Sequence, residues 1–260
     1  VLPSERVLDL FAVPADVQPL AGGQGASVRA GDLVLSPGRD PAVCAWLNPV
    51  LARLAVRLDE RPARSFRDLR IAMPVPARDG EWVVDGWGAS RWEPGTTSCT
   101  DVDVLVATGR LLHAELAGAV PSRPAGLARR DDRWASAERE AFEGSPAGPD
   151  LVRRLAGLRD DTPLGPDQLV HADLAGNVLL DAAGAPVVLD LAPAWRPARW
   201  AEAVTVLDAA LWLGAPLARL HDWAAGPERQ AMLRAALFRL LSDVDPPLDR
   251  YEAALAPVLG

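Results

Sequence analysis

Apolar residues recur along this chain with two different periods, and the switch between them predicts two regions. Residues 1–95 read as strands with one good helix. Short apolar stretches at Ala26–Ala30, Leu33–Ser36, Leu69–Pro74 and Trp82–Trp87 are separated by Gly, Asp and Pro turns. Between the second and third of them, Trp46, Leu47, Val50, Leu51, Leu54 and Leu58 fall at helical spacing and predict a helix over Pro41–Leu58. Asp40 is its natural N-cap, and Pro41 stands in the first turn, where a missing N–H does no harm. Gly88–Cys99 is irregular and reads as a connector. Residues 96–260 then carry mostly helical periodicity. Thr100-x-x-Asp103 resembles a capping box opening a helix to about Leu116, and Pro121–Gly126 reads as a loop. Further helices are predicted over Arg133–Phe142, Pro149–Leu158, Pro197–Leu213, Pro227–Leu241 and Leu248–Leu259.

Composition narrows the chemistry. The 27 basic residues are all arginine; there is no lysine. That excludes a Walker A phosphate loop, whose lysine reaches the β- and γ-phosphates, and Schiff-base chemistry such as that of pyridoxal phosphate. A net charge of −8 argues against a nucleic-acid partner and mildly favours a cationic or metal-bridged ligand. Cys44 and Cys99 stand far apart in no ligand spacing and read as reduced thiols. No apolar run reaches the ~20 residues that span a bilayer, and Val1–Arg6 lacks the pattern of a signal peptide. The expectation is a cytoplasmic protein with no membrane contact; its oligomeric state is not readable.

One segment concentrates chemistry. His171-Ala172-Asp173-Leu174-Ala175-Gly176-Asn177 runs into Val178-Leu179-Leu180, a turn over residues 181–186, and Val187-Val188-Leu189-Asp190. The two apolar stretches predict an antiparallel hairpin. If Leu180 pairs with Val187, Asn177 falls directly opposite Asp190, with Cβ atoms ~5 Å apart. An amide oxygen and a carboxylate so placed can share a small hard cation such as Mg²⁺. Asp173, one tight turn upstream, is then a candidate to accept a proton from a substrate hydroxyl.

His171-x-Asp173, Asn177 and Asp190-Leu191-Ala192 together resemble the catalytic and metal-binding loops of the aminoglycoside phosphotransferase/choline kinase-like group. Val170–Asn177, Trp195-Arg196-Pro197 and Gly86–Arg91 look closest to an actinobacterial branch of it. The resemblance implies an α+β, bilobal protein-kinase-like fold, with a small strand-rich N-lobe over residues 1–95 covering the nucleotide. A larger helical C-lobe, residues 96–260, would carry catalysis and substrate. It implies ATP and Mg²⁺ as cofactors, Asp173 as base, His171 as a brace of the catalytic loop, and Asn177 and Asp190 as metal ligands. Asp208 matches the acid that holds the catalytic loop through its backbone. Gly22, Gly23, Gln24 and Gly25 occupy the place of the glycine-rich loop over the nucleotide, with Ser90, Arg91 and Trp92 beside it. Arg196, close after Asp190, is a candidate for a phosphate or an anionic substrate group.

Three departures stand out. The third-strand lysine of such folds falls at Ser36, and the helix Pro41–Leu58 has no carboxylate to replace the glutamate that pairs with it. Asn177 follows Asp173 by four residues rather than the usual five, a shorter turn that Gly176 accommodates. Arg29 and Arg39 are the candidate replacements on the phosphates, since a guanidinium holds phosphate in a bidentate fork. The leading expectation is an ATP- and Mg²⁺-dependent phosphotransferase acting on a hydroxyl of a small, possibly aminated, molecule. The alternative is a catalytically impaired, pseudokinase-like nucleotide-binding or scaffolding protein, and a third reading transfers AMP instead of phosphate.

Overall fold

The computed structural model describes residues 2–20, 26–61 and 69–260. In chain order these form helix α1 (Glu5–Leu10), strands β1 (Val17–Pro19), β2 (Val28–Ala30) and β3 (Leu33–Ser36), and helix α2 (Pro41–Asp59). Strands β4 (Arg70–Ile71), β5 (Pro74–Val75), β6 (Gly88–Arg91) and β7 (Thr97–Ser98) follow. Then come helices α3 (Val102–Ala119), α4 (Ala125–Ala128), α5 (Arg133–Phe142) and α6 (Asp150–Gly157). Strands β8 (Asp167–His171), β9 (Val178–Leu180), β10 (Pro186–Val188) and β11 (Pro193–Pro197) precede α7 (Ala198–Trp212). A 3-10 segment at Leu217–Trp223, α8 (Gly226–Ser242) and α9 (Leu248–Leu259) come last. Two compact units result: Val1–Cys99 with Gly176–Asp190, and Thr100–Ala175 with Leu191–Gly260.

The first unit holds two sheets. One has the order β1-β2-β3-β6-β5 and is antiparallel throughout; the other has the order β4-β10-β9-β7, with β10 parallel to β4. Val7, Phe11, Val28, Leu35, Val84 and Trp87 form a buried core on the first sheet. α2 begins as expected: Asp40 caps it, accepting from the amides of Ala42 at 2.7 Å and Val43 at 3.4 Å. Its buried face runs through Cys44, Leu47, Leu51, Leu54 and Leu58, with Trp46 and Val50 at the half-buried margin.

Leu69–Pro74, read as one strand, is split between β4 in one sheet and β5 in the other, and two further strand assignments change. Gly88–Arg91, read as connector, is a central strand flanked by β3 and β5. Its small residues Gly88, Ala89 and Ser90 carry little strand propensity, and position in the sheet overrides it. Trp82–Trp87, read as a strand, is instead a reversal. Asp85 and Gly86 both have positive φ, +49° and +80°, and close Val84 against Trp87 as an Asp-Gly pair does in a tight turn.

The second unit is mainly helical. Trp200 on α7 is fully buried, with Phe142 and Phe238 edge-on at centroid distances of 5.6 and 5.2 Å. β8 pairs with β11 and packs on α3 and α7. The cap of α3 is Asp101, one residue later than the capping-box reading: its carboxylate accepts from the amides of Asp103 at 2.9 Å and Val104 at 3.3 Å. No helix among the described residues is long and apolar enough to cross a membrane.

Candidate functional site

The residues singled out by sequence fall into two groups, one in each unit. In the second unit, β8 ends at His171, and the chain turns through Asp173 to Ala175. His171 is fully buried. Its Nδ1 accepts the Asp173 amide at 3.1 Å, and its own amide donates to Nε2 of His113 on α3 at 3.1 Å. These two contacts tie the turn after β8 to α3. Leu174, buried beside it, anchors the turn. Asp173 keeps 49% of its side chain exposed, and its Oδ1 accepts from Arg239 Nη2 at 2.6 Å.

Arg239 was not legible as a site residue, yet it organises this half. Its side chain is 13% exposed. Nε donates to both oxygens of Asp208 at 3.0 Å, and Nη2 reaches Asp208 as well as Asp173. Burial works against its charge, but Asp208 and Asp173 together raise its pKa above the ordinary arginine value. Burial also pushes Asp208 up to about 6 in spite of the arginine. The expected route from Asp208 to the loop backbone is therefore corrected: the hold runs through the Arg239 guanidinium to the Asp173 carboxylate. A signal was present, since Arg239 interrupts the apolar run Leu237-Phe238-Arg239-Leu240-Leu241, and a charge in a buried helix face demands partners.

In the first unit, β9 and β10 form the expected hairpin in a different register. Leu180 pairs with Pro186, Leu179 with Val187 and Val178 with Val188, so Asn177 stands opposite Leu189, whose amide donates to its carbonyl at 2.8 Å. The predicted Asn177–Asp190 opposition is thus off by one residue. The turn is shorter than assumed. Asp181 accepts from the amides of Ala183 and Ala185 at 2.9 Å and closes on the Ala185 carbonyl at 3.0 Å. In a regular strand that slip would send Asp190 to the other face. The chain leaves the strand first: Asp190 has φ +38°, an unusual conformation for a residue with a side chain. At the hairpin's entry, Gly176 turns with φ +86°, consistent with the shortened spacing to Asn177.

Asp190 forms an ion pair with Arg39. Arg39 lies between β3 and α2, three residues beyond Ser36. Its amide donates to the Gly86 carbonyl at 2.9 Å, and its stem runs close along β6, where a Cβ on Gly88 would meet Arg39 Cγ at 3.1 Å. Burial opposes the charge of Arg39, but Asp190 outweighs it and the pKa lies above the ordinary value. Ser36 itself brings no charge; its hydroxyl meets that of Ser27 at 3.0 Å.

The other candidates disperse. Ser90 and Arg91 lie on β6, and Arg29 stacks over the Trp92 ring at 4.9 Å while Nε donates to the Gly31 carbonyl at 3.0 Å. Gly22, Gly23, Gln24 and Gly25 lie outside the described residues. Arg196, a candidate for phosphate, has its guanidinium engaged: it bonds Glu138 at 2.8 Å and Glu143 at 3.0 Å and stacks over Phe142 at 4.2 Å. These contacts fasten β11 to the end of α5, and the phosphate reading for Arg196 is set aside. Cys44 and Cys99 are buried and form no disulfide with each other.

Neither a protein-family model nor a curated protein sequence matches the chain. Solved structures do. A choline kinase, LicA, from Streptococcus pneumoniae aligns with a TM-score of 0.50 at 13% identity, covering 98% of this chain and 96% of that one. A choline/ethanolamine kinase family protein from Mesorhizobium loti aligns with a TM-score of 0.47 at 17% identity, covering 96% and 91%. The fold is the α+β, bilobal kinase-like fold expected from the sequence.

Proposed function

We propose that this chain is an ATP- and Mg²⁺-dependent phosphotransferase acting on a hydroxyl of a small molecule. The observation that carries the reading is the Arg39–Asp190 pair. It sets a fixed cation beside the candidate metal carboxylate in a chain with no lysine. Asp190 and the Asn177 amide offer hard oxygen donors, and Mg²⁺ is often held by one or two carboxylates while keeping several waters, so the donor set fits. When bound, ATP supplies the phosphoryl group and Mg²⁺ neutralises the charge spread over its oxygens.

The chain's own residues then have distinct tasks. Asp173 accepts the proton of the acceptor hydroxyl. Arg239 and His171 hold Asp173 in place from the side chain and from the backbone. Arg39 grips phosphate oxygens as the lysine does elsewhere, a task suited to a bidentate guanidinium. The choline named for the S. pneumoniae neighbour and the net charge of −8 make hydroxylated amines the first acceptors to screen. The test is ADP release with such a panel. Asp173→Asn and Asp190→Asn are expected to abolish acceptor-dependent turnover without loss of fold. Undiminished turnover in either variant sinks the assignment. Mass spectrometry of the product separates a gain of phosphate from a gain of AMP.

A second reading, a nucleotide-binding protein without turnover, is favoured by the Ser27–Ser36 contact, which leaves the usual lysine position occupied by two small hydroxyls. It predicts ATP binding with no ADP formed for any acceptor.

A further inference from the structure

Arg39 and Asp190 both belong to the first unit, and their charges answer to opposite halves of a metal–nucleotide complex. A guanidinium seeks phosphate, and a carboxylate seeks a hard cation. Here they are bonded to each other, with Arg39 Nη1 donating to Asp190 Oδ1. The surroundings of Arg39 explain the choice. Asp40, the adjacent acid, is committed to the start of α2, where its carboxylate accepts from the amides of Ala42 and Val43. The Arg39 amide is held by the Gly86 carbonyl at 2.9 Å, and its stem passes so near β6 that a Cβ on Gly88 would lie 3.1 Å from Cγ. The root of the side chain is thus fixed, and Asp190 holds its end. Both head groups keep solvent contact, at 29% and 47% exposure, and an ion pair so exposed is exchanged at small cost.

Charge decides which exchanges are open. A divalent cation arriving alone at Asp190 meets the Arg39 charge beside it. A divalent ion about 4 Å from a unit positive charge loses roughly tenfold or more in affinity, even at the dielectric constant of water. A triphosphate arriving alone meets the Asp190 carboxylate beside the arginine it needs. Arriving together, they satisfy both: phosphate takes the guanidinium, the cation takes the carboxylate, and no charge is stranded. We propose that the Arg39–Asp190 pair is a latch that closes the metal position to a free divalent cation and opens only to cation and nucleotide together. The latch rests on the phosphotransfer reading of these two residues and adds an order of events to it: metal enters with nucleotide and not before.

Two binding measurements on the full chain, neither using turnover, test it. Mn²⁺, an oxygen-seeking stand-in for Mg²⁺, is titrated into nucleotide-free protein while the free ion is followed by electron paramagnetic resonance. Arg39→Ala is expected to bind Mn²⁺ at least about tenfold more tightly than the parent chain. Adding Asp190→Asn to that variant is expected to abolish the gain. ATP is then titrated in EDTA by calorimetry. Asp190→Asn keeps a residue suited to positive φ and is expected to tighten metal-free ATP binding by about two- to fivefold, the worth of an exposed ion pair. It is expected to do so only while Arg39 is present. A gain of equal or larger size in the Arg39→Ala background would reflect simple removal of a negative charge and overturns the latch. Mn²⁺ binding equally to the parent chain and to Arg39→Ala overturns it too, as does a gain that survives Asp190→Asn. Arg39→Gln serves the same cycle if the alanine variant does not fold. Acceptor-dependent ADP release is measured separately, so a failed latch leaves the phosphotransfer reading intact, whereas failure of that reading shows as no turnover in the parent chain.

Discussion

At the scale of single residues, three side chains carry most of what can be tested. Arg39→Ala is expected to lower phosphotransfer by about 10²–10³, the usual cost of losing one preorganised donor to developing charge. Its effect on stability should stay below about 1 kcal/mol, because the Asp190 partner is half exposed. Arg39→Lys should recover part of the rate, and an Arg39→Ala variant with full turnover would remove the arginine from the phosphate site. Arg239→Gln is a different case: it leaves Asp208 buried without its cation, and should cost about 3–5 kcal/mol in urea unfolding.

His113 and Asp208 set opposite pH slopes. Unfolded His113 gains a proton below its ordinary value of 6.5, while the folded ring resists until about 3, so stability falls as pH drops through that window. Folded Asp208 keeps a proton up to about 6 that the unfolded chain releases near 3.8, so its share of stability falls as pH rises between those values. The two oppose each other between about pH 4 and 6. Asp208→Asn should therefore make acid destabilisation begin nearer pH 6, read from urea midpoints across pH 3 to 7. An unchanged onset would contradict the assignment. Candidates with local signatures, such as Asp173 and Asp190, could be put forward from the sequence. Arg239 acts on Asp173 from 66 residues away; the charge within its apolar run announces a need for partners, but nothing local says which.

At the scale of elements, several long helices were legible nearly to the residue, whereas the short α1 and α4 were not read from the sequence. Arg133–Phe142 and Leu248–Leu259 match their expected ends, because periodicity and punctuation agree there. Strand registers were less so. The hairpin slip came from turn length, which depends on how Asp181 folds back on Ala183 and Ala185 and not on the apolar pattern that flanks it. The corrected cap of α3 gives a prediction at this scale. Asp101→Ala should cost about 1 kcal/mol of stability, and Thr100→Ala less than about 0.5 kcal/mol, by thermal unfolding. Equal losses would restore the capping-box reading.

At the scale of the whole chain, sequence reading drew one boundary near residue 95, whereas the compact units are interleaved: the hairpin Gly176–Asp190 belongs with Val1–Cys99. Contiguous reading cannot detect this, because the pairing of β4 with β10 joins residues more than a hundred positions apart. Amide hydrogen exchange offers a check. Amides of β9 and β10 should open together with their partners on β4 and β7, and at a different rate from those of β8 and β11. Exchange of the hairpin in step with β8 and β11 would argue against the division.

The interleaving also reaches back to the chain's synthesis. When Cys99 leaves the ribosome, β4 and β7 still lack the two strands that lie between them. Those strands arrive only with Val188, which at about 5–20 residues per second is roughly 5 to 20 s later. Throughout that interval the nascent first unit presents unpaired edges while the helices of the second are already emerging. Folding in order of appearance is closed to this protein, and its first unit is finished only after about half of its second has been made.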